Sequence, residues 1–192
     1  TGSANSQFRT KVIGCSADKC GFQGFGLGDA AVYCVFIGNS ASNISNAAGV
    51  GFLCITANSQ TPQYNTYNDN IASACAGQGF LFSGTLYSGG DGNKAIACGV
   101  GCLINASAGV QSQYISMSNF QTISSTTIGV EVAGNSNRCA INDVQAFQNG
   151  TNGVQIDAGA TRTLVTGQSN GNSTNQLVDN GTSSVTTGLT LV

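Results

Sequence analysis

Gly101-Cys102-Leu103-Ile104, Gly129-Val130-Glu131-Val132 and Gly153-Val154-Gln155-Ile156 repeat one phrase: a glycine, then an apolar, a variable and a second apolar residue. Working outward, the phrase returns at Gly79-Phe80-Leu81-Phe82 and Gly51-Phe52-Leu53-Cys54, and with alanine in the glycine slot at Ala31-Val32-Tyr33-Cys34. A weaker copy, Asn175-Gln176-Leu177-Val178, closes the series. Steps of roughly 20 to 28 residues are those of a solenoid. Apolar residues at alternate positions mark a strand with one buried face. Stacking the phrases gives two inward columns, Val32, Phe52, Phe80, Cys102, Val130, Val154 and Leu177 beside Cys34, Cys54, Phe82, Ile104, Val132 and Ile156. Every member is apolar, which a false register would not give.

Each repeat also holds a second apolar segment after a polar corner: Ile44, Tyr64 to Tyr67, Tyr114 to Met117, Ala140-Ile141 and Leu164-Val165. Asn- and Gly-rich corners such as Asn149-Gly150-Thr151-Asn152 separate the segments. No i, i+3, i+4, i+7 stripe runs far enough for helices. The expected fold class is all-β, a single-stranded parallel β-helix of about seven coils over residues 29–192, with residues 1–28 as a lead-in cap or partial coil. The G-x-G pieces within Gly21 to Gly28 lack the strand-then-helix context of a nucleotide fingerprint.

The chain has 192 residues, 41% of them hydrophobic, and only 7% charged against a usual quarter. Its surface must be solvated by Asn, Ser, Thr, Gln and Gly. A net charge of −2 with Lys and Arg scattered along the sequence argues against nucleic acid, which needs clustered cations. No apolar run approaches a membrane span. The eight cysteines fit two states: small buried thiols on the inward columns, or a partial disulfide set. No metal or other cofactor is expected, because histidine is absent and neither Cys15 with Cys20 nor Cys98 with Cys102 has a matching second pair. The strand-like end at Gly188 to Val192 suggests that the chain is a fragment whose parent continues, or that subunits meet there.

The stretches NGTNGVQIDAG (149–159) and TLVTGQSNGNSTNQLVDNG (163–181) resemble the right-handed parallel β-helix of the pectate-lyase-like superfamily. The polar, nearly charge-free style is most similar to bacteriophage tailspike and tail-fibre shafts. The resemblance spans about residues 30 to 192 and carries no catalytic signature. It implies rods that bind or degrade polysaccharide, often as homotrimers. The first reading is therefore a phage host-recognition shaft, located in the virion, that binds bacterial surface polysaccharide. The alternatives are a depolymerase on the same fold, acting as glycoside hydrolase or lyase, and a secreted bacterial adhesin.

If the chain is an enzyme, carboxylates must carry the acid–base work. Glu131 is the only glutamate, Gln155 stacks on it one coil later, and Asp157 lies two residues on. One coil rise and two strand residues combine to roughly 8 Å between Cα atoms, inside the 6.5–9.5 Å carboxyl window of inverting glycosidases. The candidate catalytic residues are Glu131, Asp157 and Asp143, with Gln155, Arg138 and Arg162 as substrate-binding residues. The competing reading has these carboxylates simply solvating the rod. The outward position of the phrase runs Tyr33, Leu53, Leu81, Leu103, then Glu131, Gln155 and Val178. Four apolar side chains facing out need a cover. A trimer partner is the leading expectation, with the chain's own amino-terminal segment or a corner loop as the alternative and a sugar-stacking face as the third reading. Replacing Leu81 and Leu103 by Asp should then lower the native mass in solution, and an unchanged mass would remove them from any interface.

Overall fold

The computed structural model describes residues 9–58 and 60–191, so residues 1–8 of the lead-in lie outside the described residues. Its regular elements are all strands, and the ladders between them are parallel. They stack as a β-solenoid of about eight turns. The turn beyond the expected seven comes from the lead-in, where Lys11–Ile13, Ser16–Asp18 and Gln23–Leu27 each pair with the next coil.

Each coil has three strand-bearing faces. One face is the sheet formed by Gln23–Leu27, Val50–Ile55, Gln78–Ser83, Val100–Asn105, Val130–Val132, Asn152–Ile156 and Asn175–Asp179. The repeated phrase therefore does make one sheet, but its first copy belongs elsewhere. Ala31 to Cys34 lie on another face, where Val32 bridges Gln63 and Tyr33 bends through a φ of 58°. Gly24-Phe25-Gly26-Leu27 takes the first place, with Phe25 on Phe52 and Leu27 on Cys54. Alternation alone did not separate the two stretches. The paired ladder does, because it needs the glycine as well as the apolar pair.

The glycine is required by close approach. A Cβ on Gly79 would fall 2.7 Å from the Gly101 carbonyl oxygen and 2.8 Å from Ala95 Cβ. The sheet thus lies directly on a column of alanines, Ala41, Ala72 and Ala95, contributed by a second face. Farther along the strands the faces diverge, and the gap is filled by stacked rings: Phe25 on Phe52 at 5.1 Å and Phe52 on Phe80 at 4.9 Å.

Corners recur every five residues on the other two faces, each with positive φ: Tyr33, Gly38 and Asn43, then Tyr64, Asp69 and Ala74, then Tyr87, Gly92 and Ala97. Behind several corners, buried asparagines tie coil to coil. The Asn70 side-chain oxygen accepts from both the backbone and the side-chain nitrogen of Asn39, each at 3.0 Å. Its amide donates to the Phe36 carbonyl at 3.0 Å and to the Asn93 oxygen at 3.1 Å. Asn70→Ala orphans the buried Asn39 N–H and also strips one bond each from the Asn39 amide and the Asn93 side-chain oxygen, and a buried orphan alone costs about 1–3 kcal/mol. Denaturant unfolding should show a loss of about 3 kcal/mol, and a loss under about 1 kcal/mol would deny the ladder its structural role.

Candidate functional site

The register brings three of the sequence candidates together. Val130–Val132 pairs with Asn152–Ile156, so Glu131 stacks beside Gln155. Asp157 follows on the same rim, close enough for a carboxyl–carboxyl hydrogen bond to Glu131. Gln155 is engaged within this group, donating to Asp157 at 2.7 Å and accepting from Asn152 at 2.6 Å. Half-buried, Glu131 has its proton affinity raised, first by desolvation, then by the negative charge of Asp157 and the bond between them. Two carboxyls within hydrogen-bonding reach of each other leave no room between them for a sugar and water. The separation expected from Cα positions is therefore not the separation of the acid groups.

The other three candidates sit elsewhere. Asp143 occupies the corner (φ 52°) where the two remaining faces meet, its N–H donating to Thr166 at 3.0 Å. Arg138 and Arg162 stand at the first corner of their coils, with φ of 55° and 53°. This corner is the position of Tyr33, Tyr64, Tyr87 and Tyr114 in the preceding coils. Flanking bridges fix the register from Val32 through Gln63, Leu86, Gln113 and Asn137 to Thr161.

These side chains form one ridge. Tyr33 stacks on Tyr64 at 5.1 Å, Tyr64 on Tyr87 at 5.1 Å and Tyr87 on Tyr114 at 4.7 Å, with interplanar angles of 8–10°. The Arg9 guanidinium lies 5.3 Å from the Tyr33 ring centre at one end, and that of Arg138 lies 5.3 Å from Tyr114 at the other. Arg138 also donates to the Tyr114 hydroxyl. Tyr33, Tyr64 and Tyr87 remain 47%, 42% and 45% exposed. Beside them lies a shallow depression of about 440 Å³, floored by Thr66, Gly89, Gly90 and Ser116. The column on one side of the ridge is uncharged, and that on the other runs Val35, Thr66, Gly89, Ser116, Ala140 and Leu164.

Sequence reasoning treated Tyr64 and Tyr114 as ends of apolar segments and passed over Tyr87 and Arg9. The available signal was a tyrosine five residues before a Gly, Asp or Asn corner, once per coil. The expected outward stripe divides accordingly. Tyr33 joins the ridge, while Leu53 is only 6% exposed and Leu81 and Leu103 are half-buried. Cys34 and Cys54 likewise belong to different faces and not to one repeat slot. Cys54, Cys75, Cys98, Cys102 and Cys139 are buried free thiols. Burial holds the Cys54 and Cys139 thiols up at about 12.

No protein-family model matches this chain, and no curated protein matches its sequence.

An acid whose pKa is raised on folding binds its proton more tightly in the native state. The native state therefore loses stability as pH climbs through the window from the unfolded glutamate value to the raised one. Glu131→Gln removes that loss, so its gain in thermal midpoint over the parent should be larger at about pH 7 than at about pH 4. Equal gains at both pH values would show that the proton affinity of Glu131 is not raised on folding.

Proposed function

We propose that this β-solenoid is a non-enzymatic shaft that binds an extended surface polysaccharide along the Tyr33–Arg138 ridge. The observation that carries the reading is the placement of four tyrosines at left-handed corners. Bulky residues are rare there, since the left-handed conformation costs about 1–2 kcal/mol for an L-residue. Asn and Gly, abundant in this chain, fit without that cost and occupy equivalent corners at Asn43, Gly38 and Gly92. Exposed tyrosines held once per coil, next to a depression floored by small residues, suit a ligand that itself repeats along a line. A polysaccharide is such a ligand, and the resemblance to phage tail shafts gives the setting: a host-recognition rod of the virion, trimeric through the Leu81–Leu103 face.

The depolymerase reading has weaker support. Its strongest observation is the raised Glu131, but the acid that restrains it is in direct contact and Gln155 is already committed to the same cluster. No release of reducing sugar is expected from a bound polysaccharide.

The reading is tested with Tyr87→Asn, which keeps a residue tolerant of positive φ while removing the middle of the stack. Against whichever capsular or lipopolysaccharide preparation the parent binds, affinity should fall more than ten-fold while the thermal midpoint moves by only a few degrees. Unchanged affinity would remove the ridge as the binding site.

A further inference from the structure

Stacking determines which parts of the tyrosines a ligand can reach. Tyr64 and Tyr87 have a ring on each side at 4.7–5.1 Å, Tyr33 lies between Arg9 and Tyr64, and Tyr114 lies between Tyr87 and Arg138. The faces, which carry the negative part of the aromatic quadrupole, are thus used up within the ridge. What remains for a ligand is the ring edges, which carry the positive part, together with the hydroxyls.

The charges run the same way. The chain has three arginines, Arg9, Arg138 and Arg162, and all three occupy this one column. Lys11 stands two residues beyond Arg9, in the flanking column that pairs it with Val35. Four of the six cations therefore gather on the ridge of a chain whose net charge is −2. Neither flanking column contains a carboxylate. The acids of these coils lie four or more residues from the ridge column, Asp69, Asp91 and Asp143 at or beside the next corner and Asp29, Asp157 and Asp179 on the chain leading into it. Arg138 bonds to the Tyr114 hydroxyl and not to an acid. Arg138 and Arg162 are one coil apart, about 4.8 Å in backbone rise, and two like charges in register repel unless an anion lies between them.

Resting on the polysaccharide reading above, we infer that the ridge selects an acidic polysaccharide, with its anionic groups held at Arg138–Arg162 and Arg9 and its neutral oxygens along the tyrosine edges. Arginine suits the task because its planar fork meets a carboxylate in two parallel hydrogen bonds. A neutral glycan that relies on stacking against aromatic faces finds none open.

The test is affinity electrophoresis of the full chain against a panel of acidic polymers, polygalacturonate, alginate and hyaluronate, and against their carboxyl-reduced forms. At least one acidic polymer should bind ten-fold or more tightly than its reduced form, the preference weakening as salt is raised. Arg138→Ala with Arg162→Ala should erase that preference, whereas Lys19→Ala, away from the ridge, should not. Equal binding of acidic and reduced polymers overturns the acidic selectivity and leaves the polysaccharide reading standing. Binding to neither set overturns both. An acidic preference that survives loss of all three arginines, in a variant with the parent's thermal midpoint, overturns the ridge as its source.

Discussion

Parallel pairing of successive coils in register is the constraint on which the rest of this molecule depends. Each strand residue lies about 4.8 Å from its counterpart one coil away, so a side chain has no choice of neighbour along the rod. Like meets like, and the column must tolerate it. Aromatic rings do so by stacking, as Phe25, Phe52 and Phe80 show. Asparagines do so because one amide both donates and accepts, which lets Asn39, Asn70 and Asn93 form a continuous ladder inside the core. Carboxylates do not: Glu131, half-buried and facing Asp157, holds its proton more tightly, first through desolvation and then through that neighbouring charge. The sparse charge of the chain follows from the same rule, since a repeated charge would repel itself at every step.

The sheet phrase was legible because two independent demands coincide in it. Alternation puts Phe80 and Phe82 inside, and the close approach of Ala95 demands glycine at position 79. Where only one demand is visible, the reading fails. Ala31-Val32-Tyr33-Cys34 has the alternation and a small first residue, yet it bends at Tyr33 and the sheet begins instead at Gly24. The corners were harder because left-handed positions normally announce themselves with Gly or Asn. Here they are filled by Tyr, Ala, Asp, Ser and Arg as well, and only the five-residue spacing reveals them.

The candidate site was legible in part for the same reason. Glu131, Gln155 and Asp157 lie on the sheet whose register the phrase defines, so counting along strands brought them together. Asp143, Arg138 and Arg162 lie on the other faces, where the phrase gives no register. Coil membership placed them near Glu131 along the rod, but said nothing about which side of the rod they occupy. The tyrosine ridge depends wholly on that second register and was invisible without it.

The energetics of the ridge differ from those of the core. Four tyrosines and Arg138 in left-handed conformation cost about 1–2 kcal/mol each. Three aromatic stacks return about 0.5–1.5 kcal/mol apiece, and the two exposed cation–π contacts about 0.5–1 kcal/mol apiece. These gains are of the same order as the strain, whereas glycine or asparagine at the same corners would carry little strain to offset. Burial adds to these gains, although the rings at the middle of the ridge keep nearly half their exposure to water. The inward columns of this solenoid are accounted for by packing alone. The ridge instead keeps exposed rings at strained corners, repeated coil after coil and flanked by every arginine in the chain, and this is the feature on which the proposed polysaccharide reading rests.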